Sequence, residues 1–158
     1  MWKTDHSKEI IEKIKNLPKI DEYSSILDLT SGKNNFIIEL AKNFISVFCL
    51  KDKNSDAFVK NLEYNNVTNV FVFEGTVKNL KISFVHFDII YFDKANDPYF
   101  IKELLRKCKF LILKTNLYTK LDLKNYKIKS LYFTNYKILI ISEYFNFMKY
   151  SYIYNRDH

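Results

Sequence analysis

Two glycines carry the clearest chemical signal in this chain, because they are the only two among its 158 residues. Gly32 lies in the turn between Asp28 and Asn34, directly after the apolar residues 26–29. Gly75 comes two residues after a second apolar run, residues 70–73. Glycine has no Cβ, so it lets the backbone approach a ligand closely and adopts a positive φ without strain. The two positions therefore predict turns at which the chain passes beside a ligand.

Helices and strands alternate along the chain and position these turns. The spacing of apolar and capping residues predicts four helices. They cover residues 8–17 after a cap at Ser7, residues 35–44, a segment capped by Asn54 or Ser55, and residues 97–107 from Asp97-Pro98 onward. Short apolar runs predict five strands. They cover residues 25–29, 45–50, 70–73, 88–92 and 110–113. Residues 127–133 and 136–144 then predict an antiparallel hairpin around Thr134-Asn135.

This alternation predicts an α/β fold, a three-layer Rossmann-like sheet that is mostly parallel with an antiparallel C-terminal hairpin. The length predicts a single domain over residues 1–158, in which residues 1–20 form an N-terminal helical segment. A parallel sheet binds ligands at the carboxyl ends of its strands, where the strand order reverses. The turn from Asp28 to Asn34 is expected at that edge, ahead of a helix N-terminus.

The composition indicates the class of partner. The net charge is +7, with 25 basic against 18 acidic residues, and this excess favours a polyanion such as RNA. Cys49 and Cys108 lie in or beside apolar runs and predict buried hydrophobic residues, and no metal-ligand spacing predicts a metal site. No apolar stretch approaches the roughly 18 residues of a membrane span, and no signal peptide is evident. We therefore expect an intracellular protein, nuclear or cytoplasmic, without a membrane partner.

Several motifs together resemble one protein family. The turn Asp28-Leu29-Thr30-Ser31-Gly32-Lys33-Asn34 resembles the first motif, D/E-x-G-x-G-x-G, of class I S-adenosylmethionine (SAM) methyltransferases. Within that superfamily the chain is most similar to trimethylguanosine synthase, which methylates the guanine N2 of RNA caps. The other similar segments are Trp2 ahead of Ile10, Asn61-Leu62-Glu63, Phe73-Glu74-Gly75-Thr76 and Ile141-Ser142-Glu143-Tyr144-Phe145.

The resemblance implies SAM as the cofactor, bound at the first turn and at the next two strand ends. The implied cofactor-binding residues are Asp28, Thr30, Ser31, Gly32, Cys49, Asp52, Glu74 and Thr76. The sequence departs from the family at several of these positions. Cys49 stands where an acid binds the SAM ribose, with Asp52 the nearest carboxylate. Thr76 stands where an aspartate binds adenine, with Glu74 nearby, and Thr30 replaces one of the outer glycines.

The resemblance also implies a catalytic segment after the fourth strand. The family motif S-P-P-W or D/N-P-P-Y aligns with Asp93-Lys94-Ala95-Asn96, and Asn96-Asp97-Pro98-Tyr99 follows. Methylation of an amine needs a polar acceptor in line with the methyl group and an aromatic stacking surface. Asp93 or Asn96 is implied as the acceptor, Tyr99 as the stacking surface and Trp2 as the ring that stacks on the cap base. Alternatively, Asp97-Pro98 has no catalytic role and only begins a helix.

Two hypotheses follow from these observations. The first is a SAM-dependent RNA methyltransferase similar to trimethylguanosine synthase, with direct methyl transfer and no metal. The second is a catalytically inactive protein of the same fold that serves as an RNA-binding or protein-binding subunit. Cys49 and Thr76, at the ribose and adenine positions, favour the second hypothesis, and the regular strand pattern is common to both.

Overall fold

The structure, a computed structural model, describes residues 6–29, 34–51, 56–75, 86–93 and 98–148, without the side chains of Asn34, Pro98 and Tyr99. This part of the chain forms seven strands and four α-helices. The helices are α1 (Ser7–Lys15), α2 (Asn34–Asn43), α3 (Asp56–Tyr64) and α4 (Pro98–Leu105). The strands are β1 (Ile26–Asp28), β2 (Val47–Lys51), β3 (Val70–Glu74), β4 (Phe87–Asp93), β5 (Cys108–Thr115), β6 (Tyr126–Tyr132) and β7 (Lys137–Glu143).

The strands form one sheet in the order β3-β2-β1-β4-β5-β7-β6. Strands β1 to β5 are parallel, while β7 runs antiparallel to both β5 and β6. The predicted fold class is therefore confirmed, including the C-terminal hairpin. The order of the last two strands follows from the structure alone: β7 lies between β5 and β6, and β6 is the outermost strand. We call the end of the sheet where β1 to β5 finish the carboxyl edge, and the opposite end the amino edge.

Each face of the sheet has its own core because successive side chains of a strand point to opposite faces. Helices α1, α2 and α3 cover the first face, and their fully or largely buried residues are Ile10, Ile11, Ile14, Phe36, Ile37, Leu40, Phe58 and Leu62. Helix α4 and the segment around Leu123 cover the second face through Ile101, Leu104 and Leu105. Burial on both faces explains why the central strands read as continuous apolar runs. Cys49 and Cys108 are buried, as predicted.

Several predicted boundaries are wrong by one to three residues, because a backbone turn ends or delays the element. Strand β2 begins at Val47 rather than at residue 45, since the Ile45 amide bonds the Glu22 carbonyl outside the sheet. Helix α4 ends at Leu105, where the Lys107 amide bonds back to the Leu104 carbonyl.

Strand β5 accordingly starts earlier than predicted, at Cys108 opposite Phe87. Helix α1 is capped at His6 rather than at Ser7, which is the first helical residue, and it ends at Lys15 before Leu17. The predicted caps Asn54 and Ser55 lie outside the described residues.

A short 3-10 helix, Tyr144–Phe147, follows β7 at the amino edge. It contains the first residues of the aromatic segment that closes the sequence. Within the described ranges, no helix is both long and apolar enough to cross a bilayer.

Candidate functional site

The strand order reverses next to β1, and this reversal defines the candidate site. From β1 the chain adds β2 and β3 on one side of the sheet and β4 and β5 on the other. In open α/β sheets the crossovers diverge at such a reversal and ligands bind in the crevice between them, so we call the carboxyl edge between β1 and β4 the crevice. Asp28 ends β1 and Asp93 ends β4, so both lie beside this crevice.

Asp28 is a carboxylate in the interior, with 1% of its surface exposed. Its neighbours in the sheet are Cys49 on β2 and Tyr91 on β4. The Leu29 amide donates to the Tyr91 carbonyl at 2.8 Å, so the pairing of β1 with β4 continues one residue past Asp28. A buried charge is costly unless polar groups or an opposite charge compensate it. The position suits a residue that binds a cationic ligand or organises the neighbouring turn.

Cys49 lies where the family resemblance calls for an acid. The side chain is 3% exposed, and burial raises the pKa of the thiol to about 12, with the neighbouring Asp28 adding to the increase and Lys51 opposing it. The thiol is therefore neutral at physiological pH and is a weak hydrogen-bond acceptor. This position cannot supply the charged acceptor that a ribose diol favours.

Tyr91 lies within electrostatic reach of both carboxylates of the crevice, Asp28 and Asp93. The sequence did not predict it as a site residue. Its ring packs on Phe36 with centroids 4.4 Å apart. Burial raises the pKa of the Tyr91 hydroxyl above its ordinary value of 10, and Asp28, Asp93 and Tyr136 raise it further. The hydroxyl therefore remains a proton donor placed within the electrostatic reach of both carboxylates. The only sequence signal was a tyrosine in an otherwise apolar strand.

Asp93 and Lys114 face each other across β4 and β5. Both are partly buried, and opposite charges in directly paired positions of neighbouring strands attract. The Lys114 ammonium also lies 4.5 Å from the centre of the Tyr136 ring. Asp93 is one of the catalytic residues that the family resemblance implies, and the strand register places Lys114 directly opposite it.

An aromatic group stands beside these charges, and we call it the His6 cluster: His6, Phe133 and Tyr136. The His6 ring lies 4.4 Å from Phe133 and 6.0 Å from Tyr136, and the last two rings stack at 4.9 Å. The cluster joins the start of α1 to the tip of the β6–β7 hairpin at the carboxyl edge. The sequence did not predict it, because His6 lies more than a hundred residues before Phe133 and Tyr136.

The far side of the candidate site is the β2–β3 end of the carboxyl edge. Glu74 is exposed and is paired in register with Lys51, whose ammonium lies 4.1 Å from the Phe58 ring centre. The next residue, Gly75, has φ 149° and donates its amide to the Lys51 carbonyl. An added Cβ would meet only Leu50, at 3.7 Å, so backbone conformation rather than space requires glycine here.

The structure brings some of the implied site residues together. Asp28 has Cys49 on one side and Tyr91 on the other, and Asp93 lies two residues beyond Tyr91 on β4. Glu74 lies two strands from Asp28, roughly 10 Å away at the usual strand spacing. The other implied residues, Trp2, Thr30, Ser31, Gly32, Asp52, Thr76 and Asn96, lie outside the described residues. Tyr99 lies in the first turn of α4, but its side chain is not among those described.

No protein-family profile and no curated protein sequence matches this chain. Many solved structures are similar to it in fold. A protein of Haemophilus influenzae described as a methylase has a TM-score of 0.68 and 16% identity, over 88% of this chain and 99% of that one. An rRNA methylase of Streptococcus thermophilus has a TM-score of 0.66 and 14% identity, over 90% and 98%.

Another similar structure contains a bound cofactor product. Coclaurine N-methyltransferase in complex with S-adenosylhomocysteine has a TM-score of 0.56 and 17% identity, over 72% of this chain and 38% of that one. At these identities the likeness establishes a shared fold, the Rossmann-like fold of class I methyltransferases. It does not by itself assign the chemistry of this chain.

Proposed function

We propose that this protein is a SAM-dependent methyltransferase that acts on RNA. The observation that carries the proposal is the strand-order reversal at the carboxyl edge, where Asp28 and Asp93 both lie within electrostatic reach of Tyr91. The shared fold of methylases supports the reaction class, and the net charge of +7 supports a polyanionic substrate.

The residues of the carboxyl edge fit SAM in part. SAM supplies a methyl group on a positively charged sulfur, and it also carries an ammonium group and a ribose diol. The buried Asp28 carboxylate fits the cationic part of such a ligand, and the exposed Glu74 carboxylate fits a hydroxyl donor. The neutral Cys49 thiol does not fit the diol, so this site offers one acceptor fewer than the family pattern.

On the substrate side, Asp93 would accept a hydrogen bond from the amine that receives the methyl group. The paired Lys114 would attract the Asp93 carboxylate across the sheet, and the protonated Tyr91 hydroxyl would lie within its electrostatic reach. The His6 cluster supplies an aromatic surface at the same edge for a nucleobase. Rate enhancement would come from alignment of the amine with the methyl group.

Calorimetric titration with SAM tests the cofactor. We expect binding in the micromolar range, and the Asp28→Asn variant should bind about tenfold more weakly, because one charged hydrogen bond is lost. Asp122→Asn, an exposed acid between β5 and β6, is the matched control and should bind as the wild type does. Circular dichroism establishes that each variant folds. Absence of heat at millimolar SAM would contradict the proposal.

The finer proposal is that the acceptor is the guanine N2 of an RNA cap. It depends on Trp2 as the stacking ring, Asn96 as a second acceptor and Tyr99 as the platform, as the resemblance to trimethylguanosine synthase implies. Transfer of a labelled methyl group to capped but not to uncapped transcripts would support it. Equal transfer to both transcripts would agree with an RNA methyltransferase but would contradict the cap as its substrate.

A second candidate function is a catalytically inactive subunit that binds RNA or a protein. The neutral, buried Cys49 at the ribose position favours it. The SAM titration decides between the two, because an inactive subunit that has lost the cofactor gives no heat.

A further inference from the structure

The 3-10 helix Tyr144–Phe147 places aromatic rings at the amino edge, each beside a lysine. The Lys127 ammonium lies 5.1 Å from the centre of the Tyr144 ring, that of Lys19 lies 5.2 Å from Phe145, and that of Lys129 lies 4.6 Å from Phe147. We call this group the amino-edge platform, and its members are Lys19, Lys127, Lys129, Tyr144, Phe145 and Phe147.

The topology explains why these residues meet. Strand β7 is antiparallel to β5, so its last residue, Glu143, lies at the amino edge and the 3-10 helix begins there. Strand β6 pairs with β7, and Lys127 and Lys129 sit opposite Ser142 and Ile140. These two lysines alternate with Ile128, which packs on the second face, so they lie on the first face. The turn after α1, in which Lys19 has φ 65°, adds the third cation.

The platform is open to solvent. Tyr144 and Phe145 are 63% and 55% exposed, although each already has a lysine near one side of the ring. All three lysines are exposed as well. Exposed rings interleaved with cations are the features by which proteins bind single-stranded nucleic acids, through base stacking and phosphate contacts.

The surroundings of the platform contain charges of both signs. Phe145 also lines a cavity of about 500 Å³ whose wall includes Arg106, Lys109 and the acid Glu143. Lys109 is paired with Asp88 at 3.0 Å, so the charges of the cavity wall are nearly balanced. Within the described residues Lys19, Lys127 and Lys129 make no ion pair, although the acids Asp21 and Glu22 follow Lys19 in the chain.

We propose that the amino-edge platform binds single-stranded RNA, with bases stacked on Tyr144 and Phe145 and phosphates held by the three lysines. The choice of RNA rests on the proposed function. The platform and the catalytic crevice lie at opposite ends of the sheet, roughly 20 Å apart along the seven residues of β7. A polynucleotide can contact both sites, whereas a single nucleotide cannot.

Fluorescence anisotropy with a labelled single-stranded RNA tests this proposal. The double variants Lys127→Gln/Lys129→Gln and Tyr144→Ser/Phe145→Ser should each bind at least about tenfold more weakly than the wild type. The lysine variant should also lower the slope of log affinity against log salt by about 1.4, because two phosphate contacts are lost. The matched control is Lys60→Gln/Lys102→Gln, which removes the same charge from exposed positions of α3 and α4. It should change the affinity less than about twofold.

Three results would overturn the proposal. They are an equal loss of affinity in the control, duplex RNA bound as tightly as single-stranded RNA, and displacement of the RNA by phosphatidylserine vesicles. Titration with SAM keeps the two proposals separate, because the platform variants retain every residue of the crevice. If the protein binds RNA through the platform but does not bind SAM, the methyltransferase proposal alone is rejected. If it binds SAM but the platform variants bind RNA as tightly as the wild type, the platform proposal alone is rejected.

Discussion

At the scale of single residues, the site depends on how burial changes the protonation of two polar groups. Burial holds the Cys49 thiol and the Tyr91 hydroxyl in their neutral forms. Asp28 lies between them in the sheet, so a carboxylate, a thiol and a phenol occupy one row of three neighbouring strands. Asp93 lies two residues beyond Tyr91 on the same face of β4, at the edge where a substrate would arrive.

The role proposed for Asp93 predicts a separation of binding from catalysis. In Asp93→Asn, methyl transfer to RNA should fall roughly 100-fold, because the charged acceptor for the substrate amine is lost. The affinity for SAM should stay within about twofold of the wild type, since Asp28 and Glu74 are unchanged. Rates of labelled methyl transfer and calorimetry measure the two quantities. Unchanged transfer would reject Asp93 as a catalytic residue.

At the scale of elements, polar contacts outside the crevice fix the strands that build it. The Ser25 amide donates to the Asp88 carboxylate at 2.8 Å, and the Asp88 amide donates to the Ser25 hydroxyl at 3.0 Å. This reciprocal contact joins the amino ends of β1 and β4 and so sets their register. Asn69 has a comparable role for α2, because its amide group donates to the carbonyls of Ala41 and Phe44 at the end of that helix.

The contact between Ser25 and Asp88 predicts a pH-dependent stability. Partial burial opposes ionisation of Asp88, but the Ser25 amide and Lys109 outweigh it, so the pKa of the carboxyl lies below its ordinary 3.8. The stabilisation is complete above a pH of about 4 and is lost as the pH falls below that value. Asp88→Ala should therefore lower the free energy of unfolding by about 1–2 kcal/mol at pH 7. The difference in the free energy of unfolding between the wild type and Asp88→Ala should be smaller at pH 3 than at pH 7.

Urea unfolding of the wild type and Asp88→Ala at both pH values measures this effect. Asp122→Ala, which removes an exposed acid, is the control and should change the free energy of unfolding by less than about 0.5 kcal/mol at either pH. A difference for Asp88→Ala that is equal at pH 7 and pH 3 would contradict the assignment to the ionised carboxyl.

At the scale of the whole molecule, the two edges of the sheet have separate proposed roles. The carboxyl edge holds the crevice and the His6 cluster, and the amino edge holds the platform. The antiparallel β6–β7 hairpin spans both, since Phe133 and Tyr136 lie at its tip and Lys127 at its far end. One hairpin thus connects the proposed acceptor site with the proposed RNA-binding site.

The sequence by itself determined the fold class and the approximate position of each described α-helix and strand, but not the 3-10 helix Tyr144–Phe147. Apolar periodicity depends on local geometry, and it is strong in strands such as β4 and β5 that are buried on both faces. The resemblance to methyltransferases, and not this periodicity, implied Asp28, Cys49, Glu74 and Asp93 as candidate site residues. Boundaries were less certain, because single backbone bonds such as that of Ile45 to Glu22 end an element without an apolar signal.

Only the tertiary structure decided which residues are neighbours. Asp28 meets Tyr91, and His6 meets Phe133, because the strand order brings together segments that are 63 and 127 residues apart in the numbering. Burial then determines the protonation of Cys49 and Tyr91, and burial depends on the packing of α1 and α2 against the sheet. No local pattern encodes these long-range contacts, so neither the His6 cluster nor the amino-edge platform could be predicted from the sequence.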